Sequence, residues 1–448
     1  MFTKSLNLII HGKISPYRKI IQVDGDKSIS IRSFLIGAIS HNISTVKNVL
    51  ESADVFSTIN CLKKLGVRIK KRGDKKYEIF GKGLGCLTIK KNSVLNFGNS
   101  GTLARLLMGV LSTTPDIEIF LKGDHSLNKR SMKKIFELMS DFGASFYPKN
   151  KTTFPIKIVS SKMPIAINYK ADVSAQLKSA VILAGLNSFG NTMIYEKKRS
   201  RDHTENMLKH NIKAINIKKN QNKIIKIIGK SFLSPIHINV PGDPSSAAFF
   251  TALTILNKGS SIKIKNVGLN QTRTGFYQIL KKLGAKIKFI NLSKINNEIR
   301  GDILVENCEL RPINANKSFY VKSTDEYPIL FVIAALTKGI STFKGIEDLA
   351  NKESNRIVEM QKVLRQIGIK SISSKDKIKI YGKGIINMSD KNIYVPNLGD
   401  HRICMSAFIL AILTGARAKI KNFETVFTSS PSFLKIMKFL GATFEIKK

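Results

Sequence analysis

Six times along this chain a segment with apolar residues at helical spacing closes on the pattern apolar-x-x-apolar-Gly-apolar, or a close variant, and passes into a strand-like run. The copies are LKKLGVRI (62–69), MSDFGASF (139–146), LKHNIKAI (208–215, with Ile212 in the glycine slot), LKKLGAKI (280–287), LRQIGIKS (364–371) and MKFLGATF (437–444). The slots lie 69 to 84 residues apart. Glycine suits the position after a helix because it takes positive φ without a Cβ clash. Six copies at this spacing predict an internal repeat of about 75 residues. Between them lie β-type runs: Ile117–Leu121, Pro155–Val159, Ile224–Ile228, Ile236–Val240, Ile262–Val267 and Ile378–Tyr381. Helix and strand therefore alternate throughout, which predicts an α/β (α+β) fold with two helices and three or four strands per repeat. The period exceeds that of solenoids, so the repeats are expected to close around a pseudo-symmetry axis. The midpoint falls at Val240-Pro241-Gly242, leaving three repeats on each side.

Roughly forty residues before each slot stands a segment that reads as a helix start. These are GDKSISIRS (25–33), GNSGTLARLL (98–107), DVSAQLKSA (172–180), GDPSSAAFF (242–250), TDEYPILF (324–331) and GDHRICMSA (399–407). Each sets small or capping residues before an apolar run, which satisfies the first free amides of a helix. The same unpaired N–H groups and the helix dipole favour anions. Singly, each segment is explained by capping alone.

Composition narrows the classes. A chain of 448 residues exceeds one ordinary core, and 43% hydrophobic with 23% charged residues is globular. No apolar run has bilayer length and the first twenty residues lack a signal-peptide core, so a cytoplasmic location without membrane partners is expected. Cys61, Cys86, Cys308 and Cys404 show neither zinc nor disulfide spacing and are expected to be reduced core residues, with no metal site. The net charge of +43 invites a nucleic-acid reading, but 59 of the 74 basic residues are lysines spread over the whole length, with no nucleic-acid-binding motif beside them. Such a field concentrates small anions instead. The scarce arginines are more telling: Arg32, Arg105, Arg130, Arg201, Arg356 and Arg402 all stand in or beside segments rich in Gly, Ser, Asp and Thr. A planar guanidinium grips carboxylate or phosphate with two hydrogen bonds, although an arginine can equally serve a buried carboxylate.

An ordered series of motifs then carries a resemblance: GDKSIS-x-R (25–32), GNSGT-x-x-R (98–105), GD-x-SL-x-x-R (123–130), SAQ-x-KSA (174–180), SRDHTE (200–205), VPGDPSSAAF (240–249), DEYPIL (325–330), KES-x-R (352–356) and DHRI-x-MS (400–406). The chain resembles the enolpyruvyl transferase superfamily, and within it the class II branch of the 5-enolpyruvylshikimate-3-phosphate synthase family. The resemblance implies a two-domain inside-out barrel, each domain made of three βαβαββ repeats around a pseudo-threefold axis. The first domain would span 24–241. The second would be discontinuous, 1–23 plus 242–448, joined to the first by two crossover strands. It implies transfer of the enolpyruvyl group of phosphoenolpyruvate to the 5-hydroxyl of shikimate 3-phosphate, by addition and elimination, without metal or other cofactor and in a monomer. It also assigns roles. Lys27, Ser28 and Arg32 would hold the shikimate ligand, with Lys27 also reaching phosphoenolpyruvate. Ser174, Ala175 and Gln176, with Arg201, would cradle its phosphate and ring. Gly101 and Arg130 would contact phosphoenolpyruvate, and Arg356 and Arg402 would clamp its carboxylate. Asp325 would be the general base, with Lys352 and Glu353 delivering protons; the fourth helix start, at Gly242, would be a structural cap.

The chain departs from the family pattern at Ile31 (usually His or Asn), Asp24 (often Pro), Ser131 (usually Pro), and at Ala350, Asn351 and Asn355 in LANKESNR. Two rivals are an enolpyruvyl transferase acting on UDP-N-acetylglucosamine, whose family carries a reactive loop Cys that residues 111–130 lack, and a basic nucleic-acid-binding repeat protein.

Overall fold

A computed structural model describes residues 6–219, 221–384 and 386–447. The chain falls into two compact units. The first comprises Gly25–Val240 with Ile295–Glu298; the second comprises the residues up to Asp24, Pro241–Lys294 and the chain from Ile299 onward. Each has its own apolar core.

Each unit contains three four-stranded sheets built alike: an outer strand, a second strand parallel to it, and an antiparallel pair whose later strand lies inside in five of the six, Asn7–Ile10 taking that place in the sixth. In the third sheet of the first unit, Asn168–Ala171 runs parallel to Asn191–Glu196, which pairs antiparallel with Lys223–Ile228 and so with Ile215–Lys219. Three strands come from elsewhere in the chain. His237–Asn239, at the end of the first unit, supplies the outer strand beside Ile43–Lys47. Arg18–Gln22 does the same for Ser261–Gly268 in the second unit, and Asn7–Ile10 sits between Arg417–Ile420 and Phe444–Lys447.

All six predicted helix starts open helices: Lys27–Ile39, Gly101–Thr113, Ala175–Leu186, Pro244–Leu256, Tyr327–Ala335 and His401–Thr414. These are apolar on nearly every side and lie buried within their units, as all-round hydrophobic helices must. In the first unit Gly101–Thr113 packs tightly on Ala175–Leu186; a Cβ on Gly109 would stand 2.4 Å from the Ala180 carbonyl oxygen, so only glycine permits this approach. A cap side chain accepts from the first turn in five of the six: Asp26, Ser100, Ser174, Asp243 and Asp400. The exception is Tyr327–Ala335, preceded by Glu326 without a side-chain cap bond.

Five slot glycines, 66, 143, 284, 368 and 441, take positive φ between 73° and 101°, as their position predicts. The third copy closes differently. Its helix His203–Leu208 ends early, and Asn211 takes over the turn, donating its N–H to the Leu208 carbonyl and accepting from Ala214, which leaves Ile212 exposed. The cysteines need a correction: Cys61 and Cys404 are buried, but Cys86 is exposed and Cys308 half-buried. Among the described residues, no helix is long and apolar enough to cross a membrane.

Asp24 explains one departure from the family pattern. Its carboxylate accepts from the Ser432 N–H at 2.8 Å and the Ser432 hydroxyl at 2.7 Å, tying the strand leaving Arg18–Gln22 to the turn before helix Phe433–Phe439. A proline could make neither bond. Asp24→Ala is expected to destabilise the second unit by about 1–2 kcal/mol, the usual cost of a lost charged cap. Thermal denaturation checks this, and an unchanged melt would contradict it.

Candidate active site

In the first unit the candidate residues gather around three helix starts. Lys27 is the first residue of its helix, and its ammonium pairs with Asp54 at 3.2 Å. Arg32, one turn on, is buried. It donates Nε to Thr204 Oγ1 at 2.9 Å, Nη1 to the Ser28 carbonyl at 3.1 Å and Nη2 to Ser179 Oγ at 3.1 Å. Arg32 thus joins its own helix to Ala175–Leu186 and His203–Leu208, while Ser28 lies half-buried before it.

The second group surrounds Gly101. A Cβ there would stand 2.9 Å from Arg105 Nη1 and 3.4 Å from Arg130 Nη1, so two guanidiniums flank this helix start. Arg105 donates to Gln176 Oε1 at 2.8 Å, and Gln176 donates in turn to Thr102 Oγ1 at 3.0 Å. Arg130 is steered by Asn99 Oδ1 at 2.6 Å and Ser126 Oγ at 3.2 Å. Gly101, Arg130 and Gln176 therefore belong to one cluster. Arg105 serves the Gln176 amide and the Gly101 carbonyl.

Ser174 and Ala175 open the third start, half-buried, with Ser174 as its cap. Behind them lies a charge cluster that the sequence reading missed. Lys178 contacts Glu196 at 2.7 Å and Glu205 at 2.8 Å; Lys223 contacts the same two at 3.2 and 2.8 Å. All four are at most 7% exposed. Burial drives the Glu205 carboxyl upward, but the Lys178 and Lys223 ammoniums outweigh it and hold the group down to about 2. Burial likewise opposes the Glu196 charge, and the same lysines keep it below the ordinary carboxylate range. Arg201 lies half-buried in the loop between Glu196 and Glu205.

In the second unit the centre is Asp400, fully buried. Its carboxylate caps helix His401–Thr414 through the Arg402 N–H at 2.9 Å, and accepts from Arg356 Nε at 2.9 Å and Ser354 Oγ at 3.0 Å. Arg356 also donates to Glu353 at 2.6 Å, and its Nη1 stands 3.9 Å from Asp325. Burial disfavours the Arg356 charge, yet Asp400 and Glu353 raise the group's proton affinity well above normal. Arg402 is 4% exposed and lies against the Phe249 ring at 5.7 Å. Among the described residues, Arg402 Nε and Nη1 and Arg356 Nη1 are buried without a hydrogen-bond acceptor. Leaving such donors unmet is costly, and an anion placed against them would satisfy them. Lys352 pairs with Asp348, which also accepts from the Tyr320 hydroxyl at 2.7 Å, and Glu353 pairs with Arg356.

The fourth helix start is more than a cap. Arg273 donates to Asp243 at 3.2 Å and Ser245 at 2.9 Å, and Ser245 bonds Glu326, the neighbour of Asp325. Phe249 of the same helix underlies Arg402.

A model of the family "EPSP synthase (3-phosphoshikimate 1-carboxyvinyltransferase)" matches residues 12–437. The chain belongs to the EPSP synthase family. It is 37% identical over 442 residues to the 3-phosphoshikimate 1-carboxyvinyltransferase of Zymomonas mobilis, covering 98% of this chain and 97% of that one. It is 36% identical to the protein of that name in Bacillus subtilis, covering 94% and 97%. The solved EPSP synthase of Acinetobacter baumannii superposes with a TM-score of 0.84 at 33% identity, over 99% of this chain and 100% of that one. The enolpyruvyl transferase NikO of Streptomyces tendae, 12% identical, shares the fold with a TM-score of 0.76 over 99% of each chain. A full-length match to the EPSP synthase family favours neither rival reading.

The buried charge cluster sets an acid limit. Because Glu205 titrates near 2 when folded and in the ordinary carboxylate range when unfolded, its stabilisation is full above about pH 4.5 and is lost as pH falls toward 2. Thermal midpoints across that window are expected to fall more steeply in the parent protein than in Glu205→Gln. Parallel slopes would contradict this.

Proposed function

We propose that this chain transfers the enolpyruvyl group of phosphoenolpyruvate to the 5-hydroxyl of shikimate 3-phosphate and releases inorganic phosphate, a step toward chorismate and the aromatic amino acids. What carries the reading, beside family membership, is the pair Arg356 and Arg402: two buried guanidiniums, ordered by Asp400, with unmet donors and a carboxylate, Asp325, beside them.

Both substrates bear a carboxylate and a phosphate, which suits groups that bind by charge and by directed N–H bonds. Lys27, Ser28, Ser174, Ala175, Gln176 and Arg201 hold shikimate 3-phosphate. Arg32 shares in holding that ligand, and its bonds to Ser28, Ser179 and Thr204 keep the helix starts in place. Gly101 and Arg130 contact phosphoenolpyruvate, with Lys27 reaching both substrates, and Arg356 and Arg402 take the carboxylate. The acceptor hydroxyl attacks C2 of phosphoenolpyruvate while Asp325 receives its proton and Lys352, with Glu353, protonates the C3 methylene. The tetrahedral intermediate then loses a proton from that methyl group as the C–O bond to phosphate breaks. No metal or organic cofactor enters these steps. We further read each unit as three βαβαββ repeats about a pseudo-threefold axis, an inside-out barrel; the limits 24–241 and 1–23 plus 242–448 expected from the resemblance shift by one residue at each boundary, since Asp24 and Pro241 belong to the second unit. The protein is assigned as a cytoplasmic monomer.

Phosphate release from phosphoenolpyruvate is expected only when shikimate 3-phosphate is present; release independent of it would refute the assignment. Asp325→Ala is expected to lower kcat by about 100-fold or more, the range of a missing acid–base group, with KM values little changed. Arg402→Ala is expected chiefly to raise KM for phosphoenolpyruvate, by about 10- to 100-fold. Steady-state kinetics separate the two, and an unaltered kcat in Asp325→Ala removes it as the base.

Gly101→Ala is expected to fold, because its methyl meets the far ends of the Arg105 and Arg130 side chains and makes only an ordinary contact with Leu127 at 3.8 Å. Arg105 must then shift and disturb Gln176, so both KM values are expected to rise, that for phosphoenolpyruvate the more. Wild-type kinetics in this variant would show that the guanidiniums adjust without consequence.

A further inference from the structure

The segment Ser200–Glu205 is anchored at both ends on the buried Lys178–Glu196–Lys223–Glu205 cluster, and between them by other groups of the same unit. Glu196 Oε1 accepts from both the N–H of Ser200, at 2.9 Å, and its hydroxyl, at 2.8 Å. Thr204 Oγ1 donates to Ser179 Oγ at 2.8 Å and accepts from Arg32; His203 Nδ1 lies 2.8 Å from Glu298; and Glu205 meets both lysines. Within this frame Arg201 is half-buried, as is its neighbour Asp202.

Four buried charges are an expensive way to hold a loop. Two lysines and two glutamates sum to zero, but each has lost its hydration, and well-packed apolar side chains would serve stability as well or better. What apolar groups could not do is direct two hydrogen bonds onto Ser200, the residue immediately before Arg201. Lys178 adds a second constraint. It lies one turn after Ser174, with its N–H on the Ser174 carbonyl at 3.2 Å, so the cluster fixes the helix start Ser174–Gln176 and the Arg201 loop against one frame.

We infer that the Lys178–Glu196–Lys223–Glu205 cluster, through Ser200, is a positioning device that sets Arg201 against the Ser174–Gln176 helix start and so confers selectivity for a phosphorylated acceptor. This rests on the proposed function, which assigns those two elements to the acceptor phosphate. The four charged residues and Ser200 touch no substrate; they act through Arg201.

The test uses Ser200→Ala, which leaves the four charges in place, and Glu196→Gln, in the full-length protein. Both are expected to raise KM for shikimate 3-phosphate about 10-fold while KM for phosphoenolpyruvate and kcat change less than about 2-fold. The dissociation constant of shikimate 3-phosphate measured calorimetrically without phosphoenolpyruvate is expected to rise in step. The preference for shikimate 3-phosphate over shikimate is expected to narrow. Adding Ser200→Ala to Arg201→Ala is expected to cost less than about 2-fold more, because the two act through one contact. A merely structural role would lower the active fraction, and hence kcat, with both KM values unchanged; that result, or full additivity with Arg201→Ala, overturns the inference. Loss of folding in Glu196→Gln leaves Ser200→Ala to decide. Failure of the parent protein to release phosphate in a shikimate 3-phosphate-dependent way refutes the function itself, and is told apart from failure of this inference by the parent control.

Discussion

The carboxylate of Asp400 is the interaction on which the candidate chemistry of the second unit depends. It neutralises Arg356 where almost no water reaches, and it ends helix His401–Thr414 so that Arg402 begins the first turn. Removing one partner of a buried pair strands the other's charge, at a cost of about 3–5 kcal/mol, so Asp400 and Arg356 are obligatory to each other. Their pairing still leaves Arg356 Nη1 and two donors of Arg402 unmet within the fold. One carboxylate thus holds the Arg356 guanidinium and starts the helix that carries Arg402, without saturating either guanidinium.

The first unit meets the same demand differently. Its candidate helix starts are fixed from behind, by Arg32 spanning three helices and by the Lys178–Glu196–Lys223–Glu205 cluster, in which positive and negative charges balance. The surplus of 43 positive charges over the whole chain is therefore not what organises these sites. A general basic field draws anions inward but cannot orient them. Orientation falls to the few arginines and to backbone N–H groups at helix ends, whose directions are set by folding.

Much of this was legible in the sequence, and what escaped has a physical reason. Helix starts and slot glycines are local: a cap lies within three residues of the amide it serves, and positive φ belongs to a single residue. All six starts and five of six slots were accordingly visible. Ile212 shows the limit, since a neighbouring Asn could replace the missing glycine with hydrogen bonds that no slot pattern contains. The roles of the candidate arginines came from resemblance, but their partners did not. Asp400 is 44 residues from Arg356, and Lys178 is 18 from Glu196, distances at which only the fold creates proximity. Lys178 was further disguised by standing in an apolar helical run, where a lysine reads as a solvent-facing exception. Cys86 misled in the opposite direction, because residue type predicts burial only on average.

The departures from the family pattern follow the same electrostatic logic. Ile31 lies fully buried in the core of the first unit, so a polar side chain there is replaced by packing at no cost to the groups on the helix start. Asn355 caps helix Arg356–Gln366 by accepting from the Val358 N–H at 3.2 Å, a bond the usual aspartate could also make. The difference is one of charge. Arg356 already faces three carboxylates, Asp325, Glu353 and Asp400, within 4 Å. A fourth beside it would add cap strength but draw the local field further negative, where the substrate's own carboxylate must be received. Asparagine keeps the cap and omits the charge, so an incoming anion meets one like charge fewer beside Arg356.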